Sequence, residues 1–336
     1  MPGKKHQATV AGGEPSKLKV KKRGKKKTFL EKDHLYGILE KRNINRVKFG
    51  VDKVFDTWYG SNVYFNLDTL KLGCIEDDDD DDEHNNVDTN AAESIWLDTL
   101  YVCEYCFKYT DNNVKLMKHS QLCSFKRKAP GRIKYKSPEY TIRRVKGSKH
   151  KLFCQCLCLF TKLFLDNKSM FFRLDNYDFY ILYETGSTKP MGFFSKDLVS
   201  YNQNNLACIL VFPPYQRRNL GTLLIEFSYK LSKLDSIVSG PEVPLSPFGL
   251  ISYLKVWSQL LCYHLLEGDL TTMGGISLKQ LSSVTGLRIN DIIMTLKHLN
   301  CIGDDNKIYL SILRTWMNKH GKNGFMVQDE YLLLDD

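Results

Sequence analysis

Between residues 178 and 234 the apolar positions fall first at strand spacing and then at helical spacing. Residues 178–184 (DFYILYE) form a run of aromatic and β-branched side chains. A Gly-Ser-Thr-Lys-Pro turn follows, then a second run at 191–196 (MGFFSK), so a hairpin with a longer loop is expected. Residues 205–212 (NLACILVF) predict a third strand, closed by Pro213 and Pro214, with Leu206, Cys208, Leu210 and Phe212 sharing one face. Leu223, Leu224, Phe227, Leu231 and Leu234 then recur every three or four residues, which predicts an amphipathic helix over 221–234. Residues 276–299 read as helix, Gly286 turn, helix, followed by a strand at 307–310. Upstream, 34–73 opens the ordered region, with Trp58, Tyr59 and Tyr64 as expected packing anchors. From about Trp96 to the end the apolar density is sustained, with no internal repeat.

Charge is distributed unevenly around this core. Residues 1–32 hold eleven Lys/Arg and two Glu, so nine of the ten net positive charges lie there. Such an apolar-poor tail, 1–33, cannot bury enough surface to fold alone. Its block Lys21, Lys22, Arg23, Lys25, Lys26 and Lys27 reads as a nuclear import signal, a nucleic-acid patch or a solubilising tail. The remainder is close to neutral, so the function need not be nucleic-acid binding. Glu76 to Glu83 is unbroken acid with six consecutive Asp, and 74–92 is expected to be a solvated insertion in a surface loop. No apolar stretch approaches the ~20 residues of a membrane helix, and the N-terminus lacks the apolar core of a signal peptide. Membrane insertion and secretion are not expected. The ten cysteines then read as reduced thiols.

Four donors stand out. Cys103, Cys106, His119 and Cys123 give C-x2-C-x12-H-x3-C, the spacing by which a hairpin and a following helix close a tetrahedral zinc site. Four protein ligands leave no position for water, which makes the zinc structural. A DNA-reading finger is the alternative, with Lys126, Arg127 and Lys128 just beyond. Sequence-reading fingers usually come in arrays, however, because each covers about three base pairs. Cys154, Cys156 and Cys158 lie in an apolar run without a nearby His and read as core. The helix–turn–helix at 276–299 offers only Lys297 and His298, near its end, for contacts with DNA, so it reads as a packing module and direct sequence-specific DNA binding is not expected.

Gln216 to Thr222 (QRRNLGT) lies between the third strand and the 221–234 helix. Backbone N–H groups at a helix start, with arginines beside them, suit a pyrophosphate. Residues 205–234, the zinc pattern, LFLDNKSMFF at 163–172 and GPEVPLSPFGLISY at 240–253 together resemble the MYST histone acetyltransferases. The motifs run in family order from about residue 36 to about 320.

The resemblance implies an α+β fold with a GNAT-like central core. It divides the chain into an acetyltransferase domain at 34–320 and an extension at 321–336. Within the domain lie a C2HC finger at 96–126, an acetyl-CoA-binding core at 130–250 and a helix-turn-helix-like module at 251–320. It further implies acetyl transfer from acetyl-CoA to a histone-tail lysine in a nucleosome, in the nucleus, with companion subunits. The silencing branch of the family, with its short basic tail, points to the histone-four tail.

Family positions fall on particular residues here. Glu242 takes the place of the general base, and Cys208 that of an active-site cysteine, either an acetyl carrier or a residue lining the pocket. Coenzyme contacts fall on Ile209, Leu210, Val211, Arg217, Arg218, Asn219, Leu220, Gly221, Thr222 and Ser246, and self-acetylation on Lys168. Asn219 departs from the family by replacing the first Gly of Q-x-x-G-x-G. Asn tolerates a left-handed backbone, but its side chain is expected to crowd the phosphates and weaken coenzyme binding.

A base is chemically necessary. A lysine amine with a pKa near 10.4 is neutral in roughly one molecule in a thousand near pH 7.4. The uncharged neighbours of Glu242 (Gly240, Pro241, Val243 and Pro244) are compatible with a raised carboxylate pKa. Two other readings remain open at this level: a finger and helix-turn-helix nucleic-acid binder, and a catalytically weak scaffold for which Asn219 is the hint.

Overall fold

The computed structural model describes residues 42–66, 69–73, 95–165, 173–268, 270–303, 307–320 and 324–333. The basic tail at 1–33, the acidic insertion at 74–92 and Lys168 lie outside the described residues.

β1 (Ile44–Phe49) and β2 (Lys53–Asp56) form an antiparallel hairpin turned at Gly50, where φ is 71°. β3 (Leu97–Val102) pairs with β1 in parallel, and β4 (Tyr109–Thr110) closes on β3, giving the order β2-β1-β3-β4. α1 (Asn113–Leu122) follows. Its start is fixed by Asn112, whose Oδ1 accepts from the N–H groups of Val114 and Lys115. A short α2 (Ser124–Arg127) leads into the central sheet.

The central sheet has the order β10-β8-β7-β6-β5 and is antiparallel throughout. Its strands are β5 (Arg132–Lys136), β6 (Tyr140–Lys146), β7 (Tyr177–Glu184), β8 (Pro190–Asp197) and β10 (Cys208–Val211). α3 (Lys151–Lys162) connects β6 to β7 and covers one face; α4 (Leu220–Leu234) covers the other. β7 shows the result. Phe179, Ile181 and Tyr183 pack with Phe153, Leu157 and Phe160 of α3, while Tyr180 and Leu182 pack with Leu223, Leu224 and Phe227 of α4. A strand covered on both faces has no polar side, which explains the unbroken apolar run.

Four helices follow: α5 (Pro247–Leu266), α6 (Leu278–Thr285), α7 (Ile289–His298) and α8 (Leu310–His320). With Ile225 and Tyr229 of α4 they enclose a separate core around Trp257, Leu261, Ile292 and Leu313. α6 ends at Gly286, whose φ of 75° suits a residue without a Cβ. Among the described residues no helix is long and apolar enough to cross a membrane.

Four expectations change. The strand at 205–212 is two strands, β9 (Asn204–Leu206) and β10, broken at Ala207. Ser195 serves both sides of the break: its carbonyl accepts from Ala207 N–H at 2.7 Å, and its Cα partner is Cys208. That extra residue flips the alternation, so Leu206 packs toward α4 while Cys208, Leu210 and Phe212 pack toward α3. The strand at 307–310 is a single Ile302–Ile308 bridge, because α8 begins at Leu310. Trp58 is 44% exposed and leans edge-on against Phe164, whereas Tyr64 is buried as expected. Cys154 and Cys158 are buried one helical turn apart on α3, while Cys156 is only half-buried.

Candidate active site and metal centre

The break at Ala207 separates two different pairings. β9 has a parallel neighbour in β11 (Gly240–Pro241), with Gly240 opposite Asn204 and Pro241 opposite Leu206. Glu242 continues this pairing by donating its N–H to the Leu206 carbonyl at 2.8 Å. The chain then turns away through Val243 and Pro244, and β10 is left as the edge of its sheet among the described residues. Glu242 therefore pairs at the end of β9, and Cys208 begins the strand that β11 does not accompany. An edge strand presents backbone donors and acceptors to whatever lies beside it. Glu242, Val243 and Pro244 are exposed, so the apolar neighbours do not themselves enclose the carboxylate.

The turn after β10 is held at both ends. Gln216 donates from Nε2 to the Val211 carbonyl at 2.9 Å, and Val211 Cγ2 lies 4.0 Å from where a Cβ on Gly221 would stand. Arg217 and Asn219 are both left-handed, with φ of 63° and 57°. Asn219 is the N-cap of α4, but its side chain does not cap the helix. The first intrahelical bond is Leu223 N–H to the Asn219 carbonyl, so the N–H groups of Leu220, Gly221 and Thr222 have no partner inside the helix. These donors, the helix dipole and exposed Arg217 and Arg218 are a combination suited to an anion.

The Asn219 side chain is turned to a neighbour instead. Its Oδ1 accepts from Lys255 Nζ at 3.1 Å, which ties the turn to α5. At the start of α5, Ser246 Oγ accepts from Gly249 N–H at 3.1 Å and caps the helix.

A second constellation lies beyond α3. Cys103, Cys106, His119 and Cys123 bring their ligand atoms within 4.8 Å of one another, with Cys106 Sγ and His119 Nε2 3.2 Å apart. Tetrahedral zinc with bonds of about 2.0–2.3 Å places its donors roughly 3.3–3.8 Å from each other, and three thiols with one imidazole suit it chemically. A hydrogen bond from Cys106 lowers the Cys103 thiol below its ordinary value. Between the two cysteines of the knuckle, buried Glu104 is paired by Lys189 at 2.9 Å and Lys53 at 3.5 Å, joining the finger to the turn before β8 and to β2.

Comparison with known proteins places these features. A profile described as the MOZ/SAS family matches residues 128–332. Histone acetyltransferase SAS2 of Saccharomyces cerevisiae is 64% identical over 308 residues, 91% of this chain and 89% of that protein. The chain belongs to the MOZ/SAS, or MYST, family. Histone acetyltransferase MOF of Drosophila melanogaster is 43% identical over 208 residues, 61% of this chain but 24% of the longer fly protein. Histone acetyltransferase of the MYST family 1 of Arabidopsis thaliana is 40% identical over 205 residues, 60% of this chain and 45% of that protein.

With the family in hand, the coenzyme positions sort by what each can offer. Leu210, Leu220 and Thr222 bury their side chains, so only their backbones are available to a ligand; Ile209, Val211 and Gly221 are half-buried. Arg217, Arg218, Asn219 and Ser246 are exposed. Two residues that hold this candidate site escaped the sequence reading, Lys255 and Arg288, whereas Gln216 was read as the opening of the turn motif. Lys255 meets Asn219 across 36 residues and Arg288 meets Asn204 across 84, and no local spacing signals either.

Proposed function

We propose that this chain, a MYST histone acetyltransferase, moves the acetyl group of acetyl-CoA to a lysine of a histone tail with Glu242 as general base. The observation that carries the reading is the Glu242 N–H bond to Leu206, which holds the Glu242 backbone against β9 two residues before Cys208 opens β10. The coenzyme pyrophosphate lies on the N–H groups of Leu220, Gly221 and Thr222 with Arg217, Arg218, Asn219 and Ser246 around it. Its pantetheine arm follows the free edge of Ile209, Leu210 and Val211. The lysine nitrogen attacks the thioester carbon, Glu242 accepts the proton, and the C–S bond breaks to release the thiol. Backbone N–H groups of β10 stabilise the developing oxyanion. Cys208 lines the pocket, and direct attack needs no acetyl-cysteine.

Zinc on Cys103, Cys106, His119 and Cys123 braces the fold. Lys168 is the self-acetylation position. The histone-four tail is the substrate by likeness to the silencing relative, and the basic tail carries the chain to the nucleus, where companion subunits join it. The nucleic-acid reading is disfavoured by Arg288, which at the start of α7 is turned inward onto Pro241, Asn202 and Asn204. The scaffold reading loses its motive, because the Asn219 side chain is engaged by Lys255.

The test is transfer from labelled acetyl-CoA to histones and nucleosomes by the chain affinity-purified from its native cell. Labelling that is lost in Glu242→Gln while coenzyme binding persists is the expected result. Wild-type chain that neither labels histone nor retains coenzyme would sink the catalytic reading.

A further inference from the structure

The peptide group joining Pro241 to Glu242 is gripped on both of its edges. Its N–H donates to the Leu206 carbonyl at 2.8 Å. Its carbonyl oxygen, that of Pro241, accepts from Arg288 Nη1 at 3.1 Å. The same guanidinium donates from Nη2 to the Asn202 carbonyl and to Asn204 Oδ1, both at 2.8 Å. One planar cation thus ties the strand ahead of Glu242 to β9 and to the loop before it. Lysine cannot do the same, because it lacks a rigid fork of donors.

The helical module carrying Arg288 closes on this strand at two further places. Ser239 donates its N–H to the Gly286 carbonyl at 3.2 Å and bridges Leu287. A Cβ on Gly240 would stand 2.7 Å from Asp291 Oδ2, 3.2 Å from Arg288 Cδ and 3.3 Å from Arg288 Nε. Glycine at 240 therefore admits the α7 side chains against the strand. Asp291 is buried, and burial raises its carboxyl to about 6, with the Arg288 charge acting in the opposite direction.

We propose that Arg288 is a positioning residue for Glu242, fixing the Pro241–Glu242 peptide plane so that the carboxylate is presented to the substrate amine. This rests on Glu242 being the base. Without the guanidinium the Pro241 carbonyl is released and the plane can rotate about its remaining bond to Leu206, swinging the Cα–Cβ direction of Glu242. A misplacement of about 1 Å in a reacting group costs roughly 100-fold in rate. The coenzyme turn at the start of α4 takes no bond from Arg288, so the effect falls on turnover.

Steady-state kinetics on the full chain, purified from its native cell, test this with Arg288→Met, Arg288→Lys, Glu242→Gln and the Arg288→Met/Glu242→Gln double variant. Arg288→Met is expected to lower kcat by about 10- to 100-fold and to leave KM for acetyl-CoA within about twofold, with Arg288→Lys recovering only part. The double variant is expected to be no slower than Glu242→Gln alone, since a residue acting only through Glu242 has nothing left to position. A wild-type kcat in Arg288→Met, or an equal further loss in the Glu242→Gln background, overturns the proposal. If Glu242→Gln itself turns over normally, the base reading has failed and this one with it. Should Arg288→Met lose zinc or cooperative melting, Arg288→Lys must show the same kcat-only loss, dependent on Glu242; its absence overturns the proposal equally.

Discussion

Asn219 has one side chain and two structural duties. Its φ of 57° is a backbone state that most L-residues enter at a cost of roughly 1–2 kcal/mol. Its Oδ1 also receives Lys255, which keeps the amide on the α5 side of the turn. Asn219→Gly satisfies the backbone and drops only an exposed hydrogen bond, so the melting temperature should hold and KM for acetyl-CoA should stay the same or fall. Asn219→Val should lower stability by about 1–2 kcal/mol and raise that KM severalfold, because the turn presenting three helix-start amides loses its shape. Thermal melts with acetyl-CoA titrations of the two variants check both, and a Val variant indistinguishable from wild type would show that the turn does not depend on this residue.

On α4, the helix that starts after Asn219, Glu226 is buried and accepts from the N–H groups of Met326 and Val327 at 2.7 and 3.0 Å, both on Oε2. The helix thereby holds the chain's last described segment, 324–333. That segment also receives Tyr135 OH on the Met326 carbonyl and gives Leu333 N–H to the Lys134 carbonyl. Burial pushes the Glu226 carboxyl from 4.5 up to about 7, against the opposing pull of the two amides. The folded chain thus binds this proton more tightly than the unfolded chain. Stability from this group is intact below pH 4.5, falls as pH rises toward 7, and is level above it. The change is of the order of 3 kcal/mol. Asp291, raised to about 6 by burial, acts with the same sign at lower pH. Denaturant melts between pH 5 and 8 should therefore show a decline in wild type that is shallower in Glu226→Gln. Equal slopes in the two proteins would remove Glu226 as a source.

Across the whole molecule, the finger and the strand carrying Cys208 share one core. The rings of Phe49 (β1), Phe107 (the knuckle), Phe160 (α3) and Phe212 (just past β10) all lie within 5.2–6.0 Å of one another. Offset and edge-on ring pairs of this kind add about 0.5–1.5 kcal/mol each beyond their buried area. Phe107 follows Cys106, so a metal held by the four donors would fix a ring that supports the strand carrying Cys208. Cys106→Ser, or chelation of wild type, should release stoichiometric zinc and lower the melting temperature of the domain in a single transition, with loss of acetyl transfer. Metal analysis with calorimetry checks this. A finger that melts alone while the rest keeps its transition and its activity would show the two are uncoupled.

The helix at 221–234 and the strands at 178–184 and 191–196 were legible because a local period dictates which side must be buried. The four zinc-site residues were legible because tetrahedral coordination restricts spacing, and the turn motif because a helix start has unpaired amides wherever it occurs. The division of 205–212 was not legible. NLACILVF alternates as one strand, and only Ser195 on β8, paired with both Ala207 and Cys208, makes Ala207 the extra residue that divides the run in two. α8 was misread at its start because KIYL satisfies a strand pattern locally and becomes helical from Leu310 by packing Leu313 into the α5 core.

The sequence by itself determined the family, the metal-type donor set and the residue types that the chemistry requires, because each rests on short-range spacing or on motifs in order. Only the tertiary structure decided that Glu242 meets Leu206, that Lys255 engages Asn219 and that Arg288 clamps Pro241. Those contacts join residues 36 to 47 positions apart, where chain proximity carries no information and the packing of separate elements alone brings donor to acceptor.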